Sequence, residues 1–169
     1  MINFFGGIDL KLATKYLIAL FIVAMASCLV GPCIAVDIIP MGQTGIVDNW
    51  QVKVVTVFPD ATQAVLKENM LNTKPKPGEQ YFMVAIEAKN LGDAEYSFYS
   101  DNLHLVGDSL VAYDTAWCVP PNKISSNDAF PGGTLKGNVA FLVPSSEVNS
   151  LKMYYEPGFS KDKTYFALS

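Results

Sequence analysis

The chain contains no arginine: its twelve basic residues are all lysines, set against sixteen carboxylates for a net charge of -4. Without the planar guanidinium fork that reads phosphates and base edges in bidentate fashion, nucleic-acid binding is not expected. The acidic balance also removes a polybasic membrane-surface patch. His104 is the single histidine, which excludes a two-histidine metal site and leaves no second imidazole to titrate beside it. The three cysteines, Cys28, Cys33 and Cys118, form no CxxC pair. Missing too are a Gly-x-Ser-x-Gly elbow, a Gly-rich phosphate loop and an Asn-x-Ser/Thr glycan acceptor. These absences point away from an enzyme, and no cofactor or structural metal is expected.

What is present begins with an export-type segment. Lys11 and Lys15 precede Tyr16 to Met25, ten residues without a charge, the n-region and h-region pattern of a secretory signal. Three endings stay open. Met25-Ala26-Ser27-Cys28 resembles a lipobox, with Cys28 as the lipid attachment site and Met25 replacing the usual leucine. Ala24-Met25-Ala26 fits ordinary cleavage and full secretion. Uncharged Tyr16 to Val36 is also long enough to remain as a transmembrane helix. Each ending places the rest outside the cytoplasm, so residues 1–35 read as signal peptide or anchor. Residues 36–49, broken by Pro40, Gly42 and Gly45, read as linker. In an oxidising compartment, Cys33 and Cys118 are a candidate disulfide, beside the plainer alternative of separate thiols.

From residue 50 to 169 the dominant signal is alternation. Trp50, Val52 and Val54 share one face of a strand ended by Pro59-Asp60. Residues 61–71 are read as a strand because both neighbours are strands, although Val65, Leu66 and Met70 also suit a helical turn. Gly78 to Gly92 is the clearest run, with Phe82, Val84, Ile86 and Ala88 on one face and Met83, Glu87 and Lys89 on the other. Leu103–Val106 and Leu110–Tyr113 form a hairpin about Gly107-Asp108-Ser109. Val139, Phe141 and Val143 define another strand, and residues 151–155 pair with 164–168. Such short strands between turn signals predict an all-β chain, an antiparallel β-sandwich preceded by an N-terminal signal or anchor helix, although period-two alternation alone also fits a barrel.

The succession of Trp50 and its valine strand, the Lys-Pro-Gly entry to Phe82–Gly92, Leu103-His104-Leu105 with Tyr113, Pro131-Gly132-Gly133 before Val139–Pro144, and Leu151–Tyr155 resembles one family. It is that of secreted immunoglobulin-like (telokin-like) domains of unknown function in prokaryotic lipoproteins, related in fold to a mycobacterial immunoprotective secreted antigen. The resemblance covers Trp50 to Ser169 and implies an immunoglobulin-like sandwich with no established catalytic residues. In it, Gly78 and Gly132 suit positive-φ turns, Gly137 a close backbone approach, and Asn90 a side-chain bond to nearby backbone.

Residues 114–130 depart from that pattern, and so become the candidate binding loop through Trp117 and Phe130. Exposed aromatics anchor interfaces, though large aromatics more commonly pack a loop back onto its sheet. One of Tyr154 and Tyr155 should face the core. His104 alternates with Leu103 and Leu105 and should face solvent in a neutral role. Asp93, Glu95, Asp101, Asp108, Asp114 and Asp128 lie near turns, where solvated carboxylates are the ordinary reading and an oxygen-ligand Ca²⁺ site the sharper one. The expected function is an extracytoplasmic, membrane-tethered, non-catalytic binding or envelope-interaction module with an envelope protein as partner. A structural spacer in an envelope complex is the alternative.

Overall fold

Period-two alternation resolves into two facing sheets. The computed structural model describes residues 37–158 and 162–169, and Val36–Ser169 form one unit. Cys28, Cys33 and the signal-like run lie outside the described residues. In chain order the elements are β1 (Ile38–Ile39), β2 (Thr44–Val47), β3 (Trp50–Phe58), α1 (Thr62–Glu68), β4 (Glu79–Asn90), β5 (Tyr96–Ser97), β6 (Leu103–Val106), β7 (Ala112–Tyr113), β8 (Asp128–Ala129), β9 (Thr134–Pro144), β10 (Lys152–Tyr155) and β11 (Thr164–Ala167). One sheet runs β2-β3-β4-β9 and the other β1-β11-β10-β6-β7, with β5 and β8 as a separate pair.

The core is made by the alternating faces. Trp50, Val52, Val54, Phe82, Val84, Ile86, Val139, Phe141 and Val143 from the first sheet meet Leu103, Leu105, Met153, Tyr155 and Phe166 from the second. Strand β3 keeps its register with β4 up to Val54, where a bulge displaces Val55 and turns it outward. Gly78 and Gly132 have φ of +86° and +81°, as their turns require. The hairpin β6–β7 and the pair β10–β11 form as expected.

Two stretches differ from the sequence reading. Residues 61–71 hold a helix rather than a strand. Ala61 and Val65 are four apart, a helical spacing, and the Val65 amide donates to the Ala61 carbonyl at 2.9 Å. The Asp60 carboxylate accepts from the Thr62 amide at 3.0 Å and starts the turn. Val65 is then buried with Ala61, Tyr81, Met83 and Ala140 in a second apolar cluster on the outer face of the β4–β9 sheet. The face carrying Met83 is therefore covered by α1 at that end of the sheet. The stretch 36–49, read as linker, carries β1 and β2. Strand β1 pairs parallel with β11 through Ile38↔Tyr165 and Ile39↔Phe166; two residues supply no period for a sequence to display.

Of the adjacent tyrosines, Tyr155 faces the core. Its ring lies 6.5 Å from that of Phe98, while its hydroxyl donates to Asp48 Oδ2 at 2.9 Å and accepts from Asn102 Nδ2 at 3.1 Å. Burial pushes its pKa from 10.0 up to about 12, the Asn102 bond opposing and the Asp48 carboxylate reinforcing that rise. The unfolded chain surrenders this proton near its ordinary value and the folded chain only near the raised one. Stability contributed below pH 10 is therefore lost as pH climbs toward 12. Urea midpoints taken across that window should fall less steeply in Tyr155→Phe than in wild type.

Candidate functional site

The long connection from Asp114 to Gly133 is tied to β9 at two places. Near its start Thr115 bridges Phe141 and the Ala116 amide donates to the Ala140 carbonyl at 2.8 Å. Further on, the Ile124 amide donates to the Asn138 carbonyl at 3.1 Å, and the Asn138 amide to the Asn122 carbonyl at 2.8 Å. The Asn138 side chain adds a further bond to this set, donating to the Pro121 carbonyl at 2.7 Å. Residues 117–121 arch between these anchors.

Local geometry decides what the arch presents. The Cys118 amide donates to the Ala116 carbonyl at 2.8 Å, a three-residue turn centred on Trp117. Ala116 and Cys118 pack toward the α1 cluster, which leaves Trp117 pointing away, fully exposed at 102%. Beneath the arch lies an open cavity of about 490 Å³, lined among others by Leu71, Asn72, Asp101, Cys118, Lys123 and Asn138. Its far wall is the turn after α1, where the Leu71 amide donates to Asn69 Oδ1 at 2.9 Å. Asn72 joins the two walls. Its Nδ2 donates to the carbonyls of Val65 and Val119 at 2.6 and 2.8 Å, and its Oδ1 accepts from the Val119 amide at 2.9 Å. Leu71 and the neighbouring Met70 are strongly exposed beside this clip.

The rim carries exposed Trp117 and Leu71, while the cavity below is lined by polar as well as apolar groups, Asn72, Ser100, Asp101, Lys123 and Asn138 among them. Thr115 Oγ1 donates to Asp101 Oδ1 at 3.1 Å. Burial raises the pKa of the Cys118 thiol, with Lys123 opposing, so the thiol stays protonated and a weak nucleophile at neutral pH. Burial likewise raises the pKa of Tyr81, with Cys118 adding to the effect. The exposed Trp117 and Leu71 at the rim give this cavity an apolar edge over a mixed polar and apolar floor.

Trp117 and Phe130 are both exposed, contrary to the commoner expectation that they fasten the loop, yet they are not brought together. Phe130 sits in the turn closed by the Gly133 amide donating to the Phe130 carbonyl. Ala140, the attachment of Ala116, lies seven positions beyond Gly133, about 23 Å of strand. Cys118 is half-buried, and Cys33, its candidate partner, lies outside the described residues. Met70, Leu71 and Asn72 were invisible as site residues while residues 61–71 read as strand; the Asn-Met-Leu-Asn order, two turn formers about two apolar residues, was the available signal.

His104 is less open than expected. Its side chain is only 19% exposed, with Nδ1 2.8 Å from Asp114 Oδ1, and its ring stacks on Tyr154 at 5.1 Å. Tyr154 continues to Tyr165 at 5.5 Å, and Lys163 Nζ lies 4.4 Å from the Tyr154 ring centre. Cross-strand pairing aligns these rings on the outer face of the second sheet. Among the described residues no three of His, Cys, Asp and Glu gather to hold a metal ion. The turn carboxylates serve locally instead: Asp114 bonds His104, Asp101 bonds Thr115, and Asp128 bonds Ser97.

Residues 39–165 match a family described as a domain of unknown function, DUF4352. No curated protein matches the chain. Solved structures resemble it at low identity. The secreted protein MPT63 of Mycobacterium tuberculosis superposes with a TM-score of 0.59 at 11% identity, over 78% of this chain and 98% of that one. The yjhA protein of Bacillus subtilis gives 0.57 at 12%, over 78% and 100%. The candidate lipoprotein ycdA of Bacillus subtilis gives 0.51 at 16%, over 73% of this chain and 37% of its own. At these identities the likeness is one of fold, the β-sandwich.

Proposed function

Because the chain belongs to the DUF4352 family of domains of unknown function, whose name assigns no chemistry, we propose from its surface that it is a non-catalytic binding module displayed outside the cytoplasm. The export-type segment and lipobox-like Met25–Cys28 support tethering to the membrane, by lipid on Cys28 or by an apolar helix. Solved relatives in fold include a secreted protein and a candidate lipoprotein, in keeping with that location.

The observation that carries the reading is Trp117, fully exposed on a backbone fixed at both ends, above a cavity and beside Leu71. A rigid aromatic presented at little entropic cost is the kind of anchor around which interfaces concentrate their energy. The partner is an envelope protein offering an apolar side chain to the cavity. Envelope extract passed over immobilised wild-type protein should yield a partner whose affinity drops by about 2 kcal/mol, roughly 30-fold, in Trp117→Ala. Phe130→Ala, altering the distant turn, should bind as wild type. Equal recovery by wild type and Trp117→Ala would remove the groove from the mechanism.

A further inference from the structure

The apolar residues at the other end of the molecule define a different surface. Strand β1 runs parallel to β11, so Asp37 precedes it at the end of the second sheet where β10 finishes and β6 begins, Tyr155 pairing with both Thr164 and Leu103. The Tyr155 hydroxyl joins that end to Asp48 in the β2–β3 turn. Beside this turn lies Leu91, whose amide donates to the Asn49 carbonyl at 2.7 Å, and next to it the 130–133 turn, where the Gly132 amide donates to the Asn90 carbonyl at 2.9 Å. Ile46, Leu91 and Phe130 are all exposed there. No described element covers them.

We propose that this end rests on the lipid bilayer, with Phe130 and Leu91 entering the interface. The inference depends on the tethered reading above. Asp37 lies nine positions after Cys28, a reach of about 30 Å when fully extended. Strand β4 alone, with twelve residues, spans about 40 Å. An anchor at or after residue 28 therefore holds the entry end within about 30 Å of the membrane, whereas the opposite end is free to swing to about 70 Å. Three apolar tips bind a bilayer weakly by themselves, but a short tether supplies an effective concentration near the millimolar range. Tethering thus turns a weak contact into an occupied one. Asp37, Asp48, Asp93, Glu95 and Asp128 lie at this end with Lys89 and the Lys163–Glu156 ion pair, an acidic balance, so the surface fits a zwitterionic bilayer better than an anionic one. The consequence for the groove is orientation: Ala140, where the strand is bonded by Ala116 next to Trp117, lies about 23 Å along β9 from Gly133, so the groove is set back from the lipid.

The test uses the full chain reconstituted in phosphatidylcholine vesicles with and without brominated acyl chains. Wild type reports through exposed Trp117, and Phe130→Trp in a Trp117→Phe background reports from the turn, with buried Trp50 constant in both. The expected result is co-flotation of both proteins, bromine quenching and a blue shift of the indole at position 130, and no quenching at position 117. Co-flotation without quenching at position 130 would overturn the docking while leaving the tether intact. Failure to float would overturn the tether and the docking with it. A blue shift that follows protein concentration and ignores bromine would assign the surface to a second copy of this chain and overturn the lipid contact.

Discussion

Gly137→Ala should lower the free energy of unfolding by about 3 kcal/mol, the upper part of the range for overpacking. A β-carbon there would lie 2.4 Å from Ile124 Cα, 2.5 Å from the Ile124 nitrogen and 2.7 Å from the Asn122 carbonyl oxygen. All three are backbone atoms, so no rotamer change relieves the clash. The strap must lift from β9, loosening the bonds from the Ile124 amide to Asn138 and from the Asn138 amide to Asn122. Ile124 itself belongs to the core, and lifting it opens apolar surface. Urea denaturation gives the energy and amide exchange at Ile124 gives the location. A midpoint equal to wild type with a protected Ile124 amide would mean that the strap does not need the close approach.

Asn90→Ala is the second large effect, also about 3 kcal/mol, the cost of leaving several buried backbone groups unpaired. Asn90 is 0% exposed. Its Nδ2 donates to the carbonyls of Ala94 and Ala129 at 2.8 Å each, and its Oδ1 accepts from the Gly92 amide at 2.8 Å. One side chain thus holds the end of β4, the following turn and β8 together. Asn90→Asp separates this role from packing, because a carboxylate has the same shape but cannot donate to either carbonyl. It should be less stable than Asn90→Ala at neutral pH and recover in acid, where protonation restores a donor. Equal stability of the asparagine, aspartate and alanine forms at neutral pH would refute the assignment.

Both residues stood out in the sequence because local rules single them out: glycine inside a strand and asparagine at a strand end. The long strands were legible for a related reason. Phe82, Val84, Ile86 and Ala88 repeat one face four times, and the burial of all four follows. Strand β1 offers two residues and α1 a single buried side chain, Val65, too few to fix a period, so one was read as linker and the other as strand. The outward turn of Trp117 comes from a bond between the Cys118 amide and the Ala116 carbonyl, which composition does not foretell. Still less legible is Asn72, whose bonds to Val119 cross 47 positions of sequence; the cavity beneath the arch exists because of that pairing. The candidate site was thus located to its loop by sequence, while its second wall came from tertiary structure.

The strap has a further consequence for the behaviour of the protein in concentrated solution. Strand β9 is the outer strand of its sheet, and eleven residues of unpaired edge would be a template on which a second molecule could add a strand. By bonding at Asn138 and Ala140, residues 116–124 occupy that template from within the same chain. Protection of the sheet edge and presentation of Trp117 therefore share one segment. A variant lacking the loop would lose solubility along with its groove, and single substitutions at the rim separate the two properties where a deletion confounds them.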